Sequence, residues 1–213
     1  MSTQSADFHP LRGRFNAWLL AKFEDEFHEE VGGRKASALG QFRGTVLEIG
    51  AGNGVNFRYY PPGIRLMVYE PNPHMHPRLL ESARSHQLNY ELRAASAEDL
   101  EFEDNSVDAA VCTLVLCTVP DPERVVAEVL RVLKPGGRFF FIEHVAAARG
   151  TGLRKLQDLL LRPWRWLFEG CHTNRETAVL LEKAGFSRVD IERFKSEKMP
   201  PLIVPQIAGV ATK

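Results

Sequence analysis

The stretch TVLEIGAGNG, Thr45–Gly54, constrains this chain more than any other. A short apolar run of strand-forming residues is followed at once by three alternating glycines, Gly50, Gly52 and Gly54. Glycine at such a turn lets backbone approach a ligand closely. A helix that follows would offer its N-terminus to negative charge. A dinucleotide fingerprint, G-x-G-x-x-G, would need its third glycine at position 55, where Val55 stands. The spacing is G-x-G-x-G, preceded by Glu48. A second apolar run, Arg65–Glu70, ends in an acid about twenty residues after the turn, the separation at which a carboxylate accepts ribose hydroxyls. The plain alternative is a tight turn and a surface glutamate.

The rest of the chain continues the alternation. Strands are predicted over Tyr90–Ala94, Val107–Leu114, Arg138–Val145, Val189–Phe194 and Ile207–Ala211. Helices are predicted over Met75–His86, from Asp121-Pro122 to the Pro135-Gly136-Gly137 stop, over Leu153–Phe168 with a proline inside, and over Arg175–Ala184. Upstream, Phe15, Trp18, Leu19, Phe23 and Phe27 recur at helical spacing between Arg12 and Glu30. Gly32-Gly33 is expected to end that helix, with a second short one over Lys35–Gln41, and residues 1–10 are read as a loose polar lead. Such alternation predicts a parallel sheet with helices on both faces and a ligand crevice beyond the carboxyl ends of the strands.

Composition narrows the classes. The 213 residues suit one domain, and 27 basic residues balance 27 acidic ones, so there is no basic footprint of a nucleic-acid binder. Cys112, Cys117 and Cys171 show no metal-ligand spacing, so no metal is expected. They read as reduced thiols in a cytoplasmic protein. No signal-peptide pattern or membrane-length apolar run is present.

The Glu-x-Gly-x-Gly-x-Gly turn with an acid at the second strand resembles the class I S-adenosylmethionine-dependent methyltransferases. SAEDL after the third strand, NSVDAAVCTLVLCTV, RVLKPGGRFFFIEHV and the terminal PQIAGVATK are similar to further blocks of that family. The resemblance, over about residues 40–213, implies a Rossmann-like α/β fold with seven strands, mostly parallel, and an antiparallel last strand. It implies three segments in one domain: a helical lid over 1–42, a cofactor half over 43–145, and a substrate segment with closing strands over 146–213. It also implies S-adenosyl-L-methionine held by Glu48, Gly50, Ala51, Gly52, Asn53, Gly54, Glu70, Pro71, Ser96, Ala97, Glu98, Thr113 and Leu114. The family commonly has Asp at the position of Ser96, a departure that bears on one adenine contact.

VCTLVLCTV, PGGRFFFIEHVAA, WRWLFEGCHTNRE and YYPPG together resemble the methyltransferase-like seven group, membrane-associated alkyl-thiol methyltransferases. That implies methylation of small lipophilic thiols. The group's N-terminal membrane segment is here RGRFNAWLLAKFEDEF, broken by charges, and Phe27-His28 stands where relatives have Tyr followed by Asn or Asp. A thiol acceptor needs its proton removed. His144, at the end of the fifth strand, is either that base or a histidine bonded to backbone. His28 is the alternative base or a solvated side chain. Glu143 either orients a neighbour or faces a helix. Phe15, Trp18, Leu19, Trp164 and Phe168 are either core or an apolar lid over the substrate. Arg154, Lys155, Arg162 and Arg165 are read as a solvated face or as weak membrane-surface contact. Other acceptors in view are a phospholipid headgroup amine and a quinone-type ring carbon or oxygen. Outside enzymes, the reading is a cofactor-binding regulator.

Overall fold

The computed structural model describes residues 10–213, apart from the side chains of residues 10, 20, 21 and 23–25. The polar lead 1–9 and the Phe23 side chain lie outside that description. Helix α1 spans Pro10–Leu39. The expected break at Gly32-Gly33 does not occur. Each glycine costs a helix about 1 kcal/mol, but Phe27, Val31 and Leu39 are buried along one face, and that burial outweighs the cost. Gly32 also makes room for Tyr59, whose hydroxyl would stand 3.0 Å from a Cβ there.

Strand β1 (Thr45–Ile49) leads through the glycine turn to β2 (Arg65–Tyr69), α2 (His76–Ser85) and β3 (Asn89–Arg93). Then come β4 (Val107–Thr113), α3 (Pro122–Val132), β5 (Leu133–His144), α4 (Gly152–Leu167), α5 (Thr177–Lys183), β6 (Arg188–Lys195) and β7 (Pro205–Thr212). The sheet order is β3-β2-β1-β4-β5-β7-β6. β1 to β5 run parallel, and β7 is antiparallel to both β5 and β6. The expected seven-stranded Rossmann-like sheet with an antiparallel last strand is therefore present. Chain direction diverges between β1 and β4, which puts the switch point at the glycine turn.

Side chains alternate across the pleat and build two cores. Leu47, Ile49, Ala110, Cys112, Phe139 and Phe141 face α3 and α5 through Val125, Val129 and Leu181. Val46, Leu66, Val68, Val111 and Phe140 face α1 and α2 through Val31, Leu39 and Leu79. Helix α3 starts as expected, with Asp121 accepting from the Arg124 amide at 2.9 Å and Pro122 in the first turn. It stops at Val132, short of the predicted glycine pair. Leu133 already pairs with Val107, and the register then shifts before Arg138 pairs with Ala109. The Pro-Gly-Gly is thus an irregularity inside β5. No helix among the described residues is long and apolar enough to cross a membrane.

Candidate active site

All three turn glycines have positive φ, +62° at Gly50, +56° at Gly52 and +78° at Gly54. A side chain would be strained at each. A Cβ at Gly50 would lie 2.4 Å from Val115, and one at Gly54 2.8 Å from Phe57, whereas one at Gly52 would meet open space. Glu70, directly after β2, stands beside that turn. Its carboxylate accepts from the Gly52 amide at 2.8 Å and the Asn72 amide at 2.9 Å. Burial raises its pKa, and the two amides oppose the rise. Each oxygen keeps a lone pair for a ribose hydroxyl. A turn open at Gly52 beside a fixed carboxylate fits S-adenosylmethionine.

The other expected cofactor residues divide. Ala51 and Asn53 are buried in the turn. Pro71 follows Glu70, whose own carbonyl meets His76 Nε2 at 2.8 Å. Glu48 is 1 % exposed and turned to the helical side, accepting from Asn56 Nδ2 at 2.9 Å and the Tyr60 hydroxyl at 2.7 Å. Burial pushes its pKa to about 7. It braces the turn from beneath. Ser96 is exposed and hydrogen-bonds Glu98, and Ala97 is buried in the core. Glu98 in turn accepts from the Asp121 amide at 3.4 Å. Thr113 Oγ1 stands 3.2 Å from Asn56 Nδ2, and Leu114 has φ +58°. A leucine in the left-handed region is strained. Here β5 holds it, through the Leu114 amide donating to the Ile142 carbonyl at 2.8 Å.

Glu143 organises the loop that follows. Fully buried, it accepts from the amides of Val115 (2.8 Å), Leu116 (2.9 Å) and Cys117 (3.2 Å), and the Cys112 thiol reaches it at 3.4 Å. Of the two readings of Glu143, orientation of a neighbour is the one seen. The loop is also tied to the segment after α4. The Arg175 guanidinium bonds the Leu116 carbonyl, and the His172 amide donates to the Cys117 carbonyl at 2.8 Å.

These ties assemble three side chains that linear spacing gave no reason to group. His144 is 2 % exposed, and its Nε2 lies 3.2 Å from Cys171 Sγ, not on backbone. Cys171 Sγ lies 3.9 Å from Cys117 Sγ. Cys117, His144 and Cys171 present ligand atoms all within 4.8 Å of one another. The Cys117 thiol, then His144 and Trp164, hold the Cys171 thiol well below its usual pKa against the effect of burial. Burial opposes a charged His144, but the Cys171 sulfur outweighs it and raises the imidazole pKa. The pair favours thiolate and imidazolium.

His28 is elsewhere. It is buried on α1 with Nδ1 3.4 Å from the Tyr59 hydroxyl. Burial first, then Lys35 and Arg58, lower its pKa to about 3, so it is neither solvated nor a useful base near neutrality. The two aromatic segments do meet. Arg12 Nη1 and Asn16 Nδ2 donate to the carbonyls of Trp166 (2.8 Å) and Leu167 (3.1 Å), joining the start of α1 to the end of α4. Trp164 and Phe168 pack together at 4.3 Å and are half-buried, with Trp164 beside Cys171. Phe15 and Trp18 pair at 6.1 Å on the outer side, 39 % and 54 % exposed, with Leu19 half-buried. Helix α4 is anchored by Gln157, a buried residue that its amphipathic pattern did not single out. Gln157 accepts from the Ala147 amide at 2.8 Å and donates to the Leu202 carbonyl at 2.8 Å.

A methyltransferase-domain family profile matches residues 47–141, from the glycine turn through most of β5. The human thiol S-methyltransferase TMT1A is 39 % identical over 92 % of this chain and 85 % of its own length. The chain belongs to the thiol S-methyltransferase family. It is an S-adenosylmethionine-dependent methyltransferase. The phosphatidylethanolamine N-methyltransferase of Cereibacter sphaeroides is 30 % identical over 64 % of this chain and 68 % of its own length. Among solved structures, an S-adenosylmethionine-dependent methyltransferase from Methanosarcina mazei superposes with a TM-score of 0.60 at 23 % identity. It covers 79 % of this chain and 92 % of its own, a likeness of fold.

Proposed function

We propose that this family member S-methylates small lipophilic thiols. The observation that carries the reading is that one loop, Leu114–Cys117, touches the glycine turn through Val115 and carries Cys117, which meets His144 and Cys171, at its other end. The name of the human relative supports it. S-Adenosylmethionine, when bound, supplies a methyl group made electrophilic by its sulfonium. The Gly50–Gly54 turn and Glu70 would hold it, with Pro71, Thr113 and Leu114 around it and Ser96 to Glu98 at the far end. The chain's contribution is position, since holding nucleophile and methyl carbon in line removes much of the barrier. Trp164 and Phe168 exclude water and receive the apolar part of the substrate, and Phe15, Trp18 and Leu19 extend that surface outward. The thiol gives its proton to solvent beside His144, whose cationic character favours the thiolate. We place the protein in the cytoplasm, where close, unbridged cysteines stay reduced. Exposed Leu156, Leu159, Leu160 and Trp166, beside Arg162 and Arg165, support weak membrane-surface contact.

The test is transfer of labelled methyl to a panel of an apolar alkyl thiol, glutathione, phosphatidylethanolamine and a quinol. The apolar thiol should give the highest kcat/KM, because glutathione carries charges that this pocket would have to desolvate. Faster methylation of the lipid amine or the quinol would replace the thiol reading. Binding of the cofactor with no transfer to any acceptor would make the chain a regulator.

A further inference from the structure

Cys117 follows β4, His144 ends β5 and Cys171 lies between α4 and α5, so three separate elements bring soft ligands to one point. Cys117 and His144 are buried, and Cys171 keeps partial exposure. In a tetrahedral zinc site, with Zn–S about 2.3 Å and Zn–N about 2.0–2.1 Å, geometry sets the S···S edge at about 3.8 Å and the S···N edge at about 3.6 Å. The corresponding separations here are 3.9 Å and 3.2 Å. Two edges of the ligand triangle are therefore close to the tetrahedral values, and the third, between Cys117 and His144, is within 4.8 Å. Closing on a metal requires His144 and Cys171 to part by about 0.4 Å.

We propose that Cys117, His144 and Cys171 bind one zinc-class divalent ion, and that its fourth position takes the sulfur of the substrate thiol. The second half rests on the thiol S-methylation reading, and the first does not. Three protein ligands with one open position is the pattern of a catalytic rather than a structural zinc site. Two thiolates and an imidazole select a soft ion over magnesium or calcium. The scaffold is fixed on both sides, by Glu143 under Cys117 and by the His172 amide and Arg175 on the loop carrying Cys171. Charge also balances. The ion and two thiolates are neutral together, and the guanidinium of half-buried Arg175 can offset one further thiolate. Loading the site releases two protons to solvent, one from the Cys117 thiol and one from the pair formed by His144 and Cys171, which leaves two thiolates and a neutral imidazole. Binding of the substrate releases a third, from its own thiol. No oxidant or reductant is needed. The ion takes the place of the proton that His144 and Cys171 otherwise share, and it lowers the pKa of the incoming thiol as it does that of bound water.

The full chain, purified under reducing conditions without chelator, should carry about one zinc per chain by elemental analysis. Exchange for Co2+ should give the visible bands of a tetrahedral site and sulfur-to-cobalt charge transfer. Cys117→Ser and Cys171→Ser should each roughly halve the charge-transfer intensity, and His144→Gln should weaken Co2+ affinity by about 10-fold or more. Unfolding temperature and S-adenosylmethionine affinity report whether each variant is folded. A small alkyl thiol added to the Co2+ protein should raise the charge-transfer band. Absence of zinc together with no cobalt charge transfer in the reduced wild-type chain overturns the metal site, even with thiol methylation intact. A cobalt spectrum that alkyl thiols leave unchanged overturns the substrate position. A metal-loaded protein that methylates no thiol refutes the proposed acceptor while leaving the metal site standing.

Discussion

Glu48 gives a stability prediction whose sign and size both come from its surroundings. It is wholly enclosed, and burial raises its pKa to about 7 from 4.5. The Tyr60 and Asn56 hydrogen bonds and Lys35 pull the other way. The folded chain thus keeps this proton up to about pH 7, whereas the unfolded chain gives it up near pH 4.5. Stability from this group is complete below pH 4.5 and is lost as pH rises through 7. At 1.36 kcal/mol per pH unit the loss comes to about 3 kcal/mol. Glu48→Gln mimics the protonated form. Its amide oxygen can still accept from Asn56, and the Tyr60 hydroxyl can turn to accept from the amide nitrogen. The variant and the parent should unfold alike near pH 4.5. At about pH 8 the variant should be the more stable by about 3 kcal/mol, or roughly 6–12 °C for a chain of this size. Calorimetric unfolding at the two pH values measures this directly. A difference between the proteins that stays constant with pH would refute the assignment of the shifted proton to Glu48.

Other expectations concern the site. Glu70→Ala should weaken S-adenosylmethionine binding by about 1.5–3 kcal/mol, or about 10–150-fold by calorimetry, since it removes charged hydrogen bonds. An unchanged Kd would reduce Glu70 to a brace for Gly52. Glu143→Gln turns an amide N–H toward the Cys117 N–H and should cost about 1–3 kcal/mol in chemical unfolding. Full stability in that variant would mean the loop after β4 does not depend on the carboxylate. His28→Gln should leave the pH dependence of kcat/KM unchanged over about pH 6 to 9, because a group with a pKa of about 3 does not titrate there. Disappearance of an ionisation in that range would restore His28 as a candidate base.

Much of the scaffold is written locally. The glycine turn, the acid ending β2, the Asp-Pro start of α3 and the closing strand each depend on residues within a few positions. Helix α1 is not local in this sense. Its continuity through Gly32-Gly33 depends on packing against the sheet and on Tyr59, which propensity cannot register. The start of β5 at Leu133 depends on a partner strand 26 positions earlier in the pairing Val107–Leu133. At the site, the cofactor half was legible because its chemistry sits at a turn. For Glu48, the acid before the glycines is plain in the sequence, but its bonds to Asn56 and Tyr60, which lie eight and twelve positions on, are not. The sulfur–imidazole cluster left no linear trace. Its members are 27 residues apart in each step, and only the ties through Glu143, His172 and Arg175 bring them together.

The contact between Gly50 and Val115 joins the glycine turn to the loop proposed to face the acceptor. The Gly50 amide is clamped to the Tyr69 carbonyl at 2.7 Å, and the Leu114 amide to Ile142 at 2.8 Å, so backbone fixes both sides. Between them is only the thickness of a bare α-carbon against a valine methyl, which a single added carbon would overfill. On the proposed reading, that contact is a gauge block between donor and acceptor. Misplacement by about 1 Å can cost a transfer reaction about 100-fold. A spacing set by main chain is insulated from changes in the aromatic segments proposed to receive the substrate. The range of acceptors can therefore drift through Trp164, Phe168 and the start of α1 while the stroke of the methyl group stays constant.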